Sequence, residues 1–331
     1  MKIMDYLRLV RLPNLIFLAF IQLIISQVVL MPILQSFGFG VAENSLIYII
    51  LLITASILIA AGGYVLNDYF DVKIDAINNP SEQIVSKTVS RQSAMLLHQI
   101  LTITGALVGL FLAYLTRSFT LGFVFIVTPG LLWFYSSNYK RQFMIGNLVV
   151  SFCAALSILI VAIMELALLQ RTYGDLIFAT DIPRSFYVWT GGFAIFAFLC
   201  SWIREIIKDL EDEEGDREME CRTMPIKWGE KRTKAFIYLL IAITIGGLFL
   251  ANSLIPFEGS SLTLRYIIFG IVLPFLVLIY LISKAKTPEE YHQASTLSKV
   301  IMLIGVLYCF IFYFLMAQTH GIKMFNLFIV Q

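Results

Sequence analysis

Charged residues are scarce in this sequence, and their scarcity excludes most soluble folds. Only 14% of the 331 residues are charged, whereas 59% are hydrophobic and the mean hydropathy is +0.84. A soluble globular domain carries about 25% charged residues, because its surface must be solvated. The composition therefore predicts an integral membrane protein.

Cysteine and histidine are also rare, which argues against two kinds of site. The four cysteines have no short paired spacing, so neither a disulfide framework nor a zinc site is predicted. With three scattered histidines, a histidine-built metal centre is not expected. A net charge of +2 gives no indication of a nucleic-acid partner, and we expect none.

Long apolar runs are abundant instead. A bilayer core of roughly 30 Å requires about 20 apolar residues per helix. The first run is too long for the hydrophobic region of a signal peptide, so it is interpreted as a retained span. We predict an all-α polytopic membrane protein in a single domain, residues 1–331, with nine transmembrane helices. The predicted spans are 12–34, 46–66, 94–116, 118–137, 143–169, 185–203, 233–256, 264–283 and 297–318.

The distribution of lysine and arginine predicts the orientation of these spans. One side of the membrane collects 19 of them, including those of the loops 67–93 and 204–232, and the other side holds 5. Because cytoplasmic loops are enriched in positive charge, both loops and the N-terminus are predicted to be cytoplasmic. An odd number of spans then places the C-terminus outside, in the plasma or inner membrane if the protein is bacterial.

Acidic residues are concentrated in the same two loops. Of 22 acidic residues, 14 lie within 67–82 and 205–230, and each stretch contains the spacing D-x-x-D-x-x-x-D. Positions i, i+3 and i+7 share one helical face. We call these sets the first aspartate motif (Asp68, Asp71, Asp75) and the second aspartate motif (Asp209, Asp212, Asp216).

Carboxylates stacked at this spacing repel one another and cost helix stability, which a functional role would explain. The alternative is a solvated acidic loop, but two such runs emerge directly from membrane spans, where carboxylates are functional candidates. Oxygen ligands without histidine or cysteine suit Mg²⁺. Mg²⁺ binds through one or two carboxylates and substrate phosphates, so two facing motifs predict a cradle for a diphosphate.

Basic and aromatic side chains near the motifs are candidates for substrate contacts. Each base could instead be an anchor at the membrane interface, and each aromatic a residue of the interfacial belt. Cations neutralise a diphosphate leaving group, and aromatic faces stabilise a carbon that gains positive charge. The candidates are Lys140, Arg141, Arg204, Lys208 and Tyr135.

These segments resemble the UbiA superfamily of intramembrane prenyltransferases. "NDYFDVKIDAINNP" (67–80) and "KDLEDEEGDREMECRTMPIKWG" (208–229) are similar to its two signature loops. "YLRLVRLPNLI" (6–16) and "WFYSSNYKRQFMIGNLVV" (133–150) are similar to other family segments. The first motif departs from the family at "EQIVSK" (82–87), where Glu82 and Gln83 replace a usual Arg-Pro pair.

The resemblance implies a nine-helix fold and Mg²⁺-dependent transfer of a prenyl group. It implies that Asn67 and the first motif hold one Mg²⁺ and that the second motif holds another. Lys140, Arg141, Arg204 and Lys208 are then the implied contacts of the diphosphate. The implied partners are a polyprenyl diphosphate donor, a lipophilic acceptor and membrane lipids.

The acceptor remains open at this point. The second loop looks closest to geranylgeranylglyceryl phosphate prenyltransferases, which favours a hydroxyl acceptor of the glycerol phosphate type. Aromatic quinone precursors, chlorophyll-type acceptors and haem are the alternatives within this chemistry. A secondary transporter of an anionic substrate is the alternative class, although transporter sites lie near the bilayer midplane rather than at helix ends.

Overall fold

The structure, a computed structural model, describes residues 3–39, 45–78, 83–254, 260–325 and 328–329. Within these residues nine helical segments are long and apolar enough to cross a membrane, which confirms the predicted number of spans. They are Leu12–Ser36, Leu46–Asn78, Arg91–Thr116, Phe119–Ser137, Ile145–Ala179, Ile182–Glu211, Glu230–Leu254, Ser261–Lys284 and Pro288–His320.

The secondary structure is almost entirely helical. The α-helices are α1 Ile3–Leu9, α2 Leu12–Ile24, α3 Met31–Ser36, α4 Ser45–Asn78, α5 Arg91–Thr116, α6 Phe119–Ser137, α7 Ile145–Tyr173, α8 Ile182–Glu211, α9 Glu213–Glu218, α10 Met224–Trp228, α11 Glu230–Leu254, α12 Ser260–Tyr266, α13 Leu273–Lys284 and α14 Pro288–His320. Short 3₁₀ turns cover Tyr139–Arg141 and Gly174–Ala179, and a two-stranded antiparallel ribbon joins Lys323–Met324 to Phe328–Ile329.

Two spans contain a π-helical turn directly before a proline-containing turn. The turns Ile25–Leu30 and Ile267–Val272 precede Pro32 and Pro274, respectively. A proline lacks the N–H of a regular helix and clashes with the carbonyl four residues earlier. The wider π turn relieves that clash, so the first and eighth spans continue through their prolines.

Small residues set the spacing of α4 and α5. A methyl group on Gly105 would approach Leu58 and Ile59 to 2.9 Å, and one on Gly62 would overlap Thr102. The buried ring of His98 on α5 contacts the Gly62 carbonyl through Nδ1 at 2.9 Å. Without a hydrophobic driving force between helices in lipid, such close approach and polar pairing stabilise their association. The first aspartate motif lies on α4, which this packing holds against α5.

The helix α4 is longer than the predicted span 46–66, because it continues to Asn78. Its 34 residues extend over about 51 Å, which exceeds the bilayer core of roughly 30 Å. Its last turns therefore stand outside the hydrocarbon, and the first aspartate motif lies on one helical face, as predicted.

The second aspartate motif differs from the expectation of one continuous helical face. The helix α8 ends at Glu211 and α9 begins at Glu213, so Asp212 lies at a break with φ −95° and ψ 9°. Five of the six residues from 211 to 216 are acidic, and repulsion between like charges destabilises a regular helix there.

Candidate active site

The first aspartate motif is paired with cations and an amide. Arg11 donates to Asp68 Oδ1 at 3.0 Å, and Lys140 forms an ion pair with Asp71. Asn67, one helical turn before Asp71, donates to its Oδ2 at 2.7 Å. The Lys140 and Asp71 side chains are only 16% and 7% exposed, so this pair is shielded from water.

The second aspartate motif is held mainly by amides. Asn147, in the first turn of α7, donates from Nδ2 to Asp209 Oδ2 at 2.8 Å. Asn78, the last residue of α4, lies 3.4 Å from Asp212 Oδ1 and 3.3 Å from its carbonyl. Amides orient a carboxylate without neutralising its charge.

Asn78 joins the two motifs. While its Nδ2 faces Asp212, its Oδ1 accepts a hydrogen bond from the Gly215 backbone N–H at 2.9 Å. A methyl group on Gly215 would lie 2.4 Å from Asn78 Oδ1, so only glycine permits this contact. The end of α4 is therefore fastened to α9, and the two motifs face one another at one end of the bundle.

Lys140 lies between the motifs. Besides its ion pair with Asp71, its charge acts on both Asp212 and Asp216. The 3₁₀ turn that carries it packs directly on α7, where a methyl group on Gly146 would lie 2.6 Å from the Lys140 Cα. Arg141 is exposed, and its carbonyl accepts from the Arg222 N–H at 2.8 Å, which ties this turn to the second loop.

The electrostatics of the second motif follow from this crowding. Burial and the neighbouring Asp212 carboxylate raise the pKa of Asp216 to about 6. Burial also raises the pKa of Asp212 above its ordinary value, although Lys208 opposes the shift. For Arg11, burial favours the neutral form, but Asp68 and Tyr64 together outweigh burial and raise the pKa of the guanidinium. Among the described residues, the negative charge of the second motif is therefore opposed by Lys140 and Lys208 without a direct ion pair.

The oxygen donors fit a hard cation. Asn67 Oδ1 is buried and has no hydrogen-bond partner in the described part of the chain, which leaves an acceptor for an ion or a substrate. Among those residues, no three carboxylate, imidazole or thiol groups form a preformed metal cage. Such a site suits Mg²⁺, which takes one or two carboxylates and completes its shell with water and phosphate. The predicted ligand sets for two ions remain predictions.

Arg204 and Lys208 pair with a carboxylate outside the two motifs, Glu205. Arg204 Nη1 donates to Glu205 Oε1 at 2.7 Å, and Lys208 Nζ lies 4.0 Å from Glu205 Oε2. Both residues were predicted to contact a diphosphate, and that prediction is not tested by these pairings. Glu205 itself was not predicted, although its position beside Arg204 in an acidic stretch was a usable signal.

Tyr135 is the aromatic residue placed most centrally. It lies within the electrostatic influence of Asp71, Asp209 and Glu205, and so faces both motifs. Tyr64 lies beneath Arg11, whose guanidinium is 5.1 Å from the ring centroid. In contrast, Trp133 packs against Phe70 with ring centroids 6.0 Å apart. Tyr135 is therefore the best-placed aromatic candidate for a reacting carbon.

A small apolar cavity of about 20 Å³ lies within the bundle. It is lined from α2, α7, α8 and α14, for example by Phe17, Ile158, Phe193 and Gly305. Its α8 lining reaches Ala197, two helical turns before Arg204. The cavity therefore marks an incompletely packed apolar region between these helices.

Several site residues escaped the sequence-based prediction. Arg11, Asn78 and Asn147 bind motif residues that are 57, 134 and 62 positions away in the chain. All three lie in segments quoted for the family resemblance, which was the available signal. Of the two departures from the family pattern, Gln83 donates to the Val72 carbonyl at 2.9 Å, whereas Glu82 lies outside the described residues.

Comparisons with known proteins agree with this geometry. The model of the UbiA prenyltransferase family matches residues 29–303. A digeranylgeranylglyceryl phosphate synthase from Methanosphaera stadtmanae is 31% identical over 259 residues, which cover 78% of this chain and 85% of that protein.

Solved structures are similar as well. One, of a digeranylgeranylglyceryl phosphate synthase, is 25% identical with a TM-score of 0.57, over 94% of this chain and 98% of that chain. Another, of a UbiA homolog from Archaeoglobus fulgidus bound to DMAPP and Mg²⁺, is 17% identical with a TM-score of 0.55, over 92% of this chain and 99% of that chain. The second likeness concerns the fold alone.

Proposed function

This chain belongs to the UbiA prenyltransferase family, and we propose that it transfers a prenyl group to the free hydroxyl of a prenylated glycerol phosphate. Family membership confirms the predicted resemblance and the predicted prenyltransferase activity, and it removes the transporter alternative. Relatives about 30% identical that are digeranylgeranylglyceryl phosphate synthases support this acceptor. The observation that supports the proposal is the Asn78 junction, which fastens the end of α4 to α9 and brings the two motifs to one end of the bundle.

The donor diphosphate is proposed to lie between the two motifs. Asn67 and the first motif would hold one Mg²⁺ and the second motif another, and the ions would neutralise the charge on the leaving diphosphate. Lys140 reaches both motifs and so is positioned to contact the diphosphate directly. Arg141 is exposed on the same turn and is proposed as a second contact.

The reaction is a substitution at C1 of the prenyl chain. The acceptor oxygen forms an ether bond to C1 while the bond from C1 to the diphosphate oxygen breaks. Diphosphate leaves with the bonding electrons, and the hydroxyl proton passes to a carboxylate of the motifs. Tyr135, which faces both motifs, stabilises positive charge on C1 through its ring.

The prenyl chain is proposed to extend from the motifs along the apolar interior between α2, α7, α8 and α14, where the helices are incompletely packed. Hydrocarbon burial contributes about 0.8 kcal/mol per methylene, so a long chain would bind tightly without polar contacts. Binding there requires the lining side chains to move apart, because the cavity of about 20 Å³ is smaller than the chain.

The motif end of the bundle is proposed to face the cytoplasm. Arg11, Lys140, Arg204 and Lys208 all lie at this end, in accord with the bias of positive charge toward the cytoplasm. Cysteines introduced singly at Lys227 and Arg184 should be labelled from opposite sides of sealed inverted vesicles. Labelling of both from the same side would contradict the nine-span topology.

The proposal is tested with detergent-purified protein, Mg²⁺ and geranylgeranyl diphosphate. Geranylgeranylglyceryl phosphate should yield a doubly prenylated ether, detected by mass spectrometry, together with stoichiometric diphosphate. An aromatic quinone precursor, a chlorophyll-type acceptor and haem are offered in parallel. Turnover of one of these, with none of the phosphorylated glycerol ether, would overturn the acceptor but not the prenyl transfer.

A further inference from the structure

Four cations surround a single carboxylate beside the donor site. We call Arg11, Arg204, Lys208 and Lys299 the basic cluster. Arg204 and Lys208 approach Glu205 to 2.7 and 4.0 Å, and the charges of Arg11 and Lys299 also act on it. The members come from the α1–α2 junction, α8 and α14, so the chain brings together cations that are distant in sequence.

Two members of the cluster have little negative charge beside them. Asp68 pairs with Arg11, and the charge of Lys208 acts on Asp209 and Asp212. Glu205 is therefore the main counter-charge left for Arg204 and Lys299. Glu211 lies within reach of Lys299, but its Oε1 is bound to His292 at 2.8 Å. Like charges held together raise one another's energy, so this cluster favours an anion.

One N–H group of Arg204 also lacks a hydrogen-bond acceptor among the described residues. Its Nε is buried and has no hydrogen-bond acceptor among the described residues, while Nη1 binds Glu205. A buried donor without a partner costs about 1–3 kcal/mol, so an acceptor there is favoured. The guanidinium fork matches phosphate oxygens, to which it can donate two bonds.

The cluster adjoins the predicted metal site and extends away from it. Arg204 precedes Asp212 by eight residues, which is about 12 Å along a helix. Arg11 pairs with Asp68 and Lys208 acts on Asp212, whereas neither Arg204 nor Lys299 forms an ion pair with a motif carboxylate among the described residues. Arg11 lies between the two regions, because it binds Asp68 and also acts on Glu205. Two anions can therefore be bound side by side.

We infer that the basic cluster binds the phosphomonoester of the acceptor, while the aspartate motifs hold the diphosphate of the donor. This inference rests on the proposed function, since it requires an acceptor with a phosphate. A phosphate at the cluster places the glycerol hydroxyl, a few bonds away, toward the motifs and C1 of the donor. Arg204 and Lys208 were predicted to contact the donor diphosphate, whereas this inference assigns them to the phosphate of the acceptor.

The test measures steady-state kinetics with each substrate varied in turn. Lys299→Gln and Lys208→Gln should each raise the KM for geranylgeranylglyceryl phosphate about tenfold, because each removes one charge-assisted contact. The KM for the donor should stay within about twofold. Lys299→Arg keeps the charge and should recover most of the acceptor affinity. Lys284→Gln, an exposed lysine at the end of α13, is the matched control and should be neutral.

A second readout uses geranylgeranylglycerol, which lacks the phosphate. Wild-type protein should prefer the phosphorylated acceptor in kcat/KM, and Lys299→Gln should reduce that preference. If Lys299→Gln raised the acceptor KM but kept the preference for the phosphorylated acceptor, the inference would be overturned. A rise in the donor KM alone would overturn it as well. Unchanged kinetics in both lysine variants would overturn it too, while the proposed function would stand if wild-type protein makes the diether.

An anionic membrane lipid also has a phosphate that the cluster could bind. One further comparison distinguishes this lipid from the acceptor. The kinetics are repeated in neutral detergent and in vesicles with phosphatidylglycerol. A rise in the acceptor KM of the variants in neutral detergent, where no anionic lipid is present, supports acceptor binding at the cluster. An effect of the variants seen only with phosphatidylglycerol would assign the cluster to lipid and overturn the inference.

Discussion

The two aspartate motifs have identical spacing but are held in different ways. The first lies on the continuous helix α4, and two of its carboxylates are paired with Arg11 and Lys140. The second is broken at Asp212, and Asn147 and Asn78 orient it without neutralising it. In the first motif the protein thus supplies an ion pair to two of the three carboxylates, whereas no carboxylate of the second motif has an ion pair in the described part of the chain.

The largest expected effect is a loss of activity in variants of either motif, accompanied by a loss of stability in the first motif only. Asp71→Asn and Asp212→Asn should each lower kcat/KM by about 10³-fold, because each removes charge needed to hold the diphosphate and its ions. Only Asp71→Asn should destabilise the metal-free protein, by about 3 kcal/mol, because it leaves Lys140 buried without its partner. Asp212→Asn removes repulsion and should leave thermal stability unchanged or raised.

These values are read from turnover assays and from thermal unfolding in detergent with a chelator. Asp181→Asn, an exposed aspartate in the loop before α8, is the control for both measurements. If Asp212→Asn destabilised the protein as much as Asp71→Asn, the contrast between the motifs would be wrong.

A smaller effect tests the junction that brings the motifs together. In Gly215→Ala the new methyl group overlaps Asn78 Oδ1, so α9 shifts away from α4. Groups that orient metal ligands contribute about 10–100-fold, and we expect a loss of that size in kcat/KM. Gly191→Ala on α8, where no atom lies within 4 Å, should be silent.

The double variant Gly215→Ala/Asn78→Ala sharpens this test. Because Asn78→Ala already removes the contact, adding Gly215→Ala should cost little more in kcat/KM. Fully additive losses would show that Gly215 acts elsewhere than at Asn78.

The smallest effect concerns pH. Asp216 has a pKa of about 6, so its protonated fraction grows as the pH falls through 6, and a protonated carboxyl group does not bind Mg²⁺. Below pH 6 the affinity of donor-free protein for the cation should fall, by up to about tenfold per unit if one proton is displaced. Above pH 7 this contribution of Asp216 should be flat.

Titration with Mn²⁺, in the absence of diphosphate, measures this dependence without protonation of the substrate. The sign for stability is opposite: the raised pKa means that the metal-free fold gains stability as the pH falls through 6. If the cation affinity did not change between pH 5 and 7, protonation of Asp216 would not compete with cation binding, and the prediction would be wrong.

Much of the fold could be predicted from composition and spacing. The nine spans follow from the length of each apolar run against the bilayer thickness, and the first motif from its helical periodicity. The break at Asp212 was not predicted, because repulsion among adjacent acids competes with helical hydrogen bonding and no local rule decides the outcome. Glu205 was missed although Arg204 and Lys208 lie near it in the sequence; the contributions of Arg11 and Lys299, which lie on other elements, required the structure.

The sequence by itself determined that this protein spans a membrane, that it has two carboxylate motifs at helix ends, and that those motifs suit a magnesium diphosphate. These properties depend on residue type and short-range spacing. Only the tertiary structure decided which cation or amide each carboxylate receives, that Asn78 joins the motifs, and that a basic cluster lies beside them. Those pairings connect residues far apart in the chain, and only the packing of helices sets such distances.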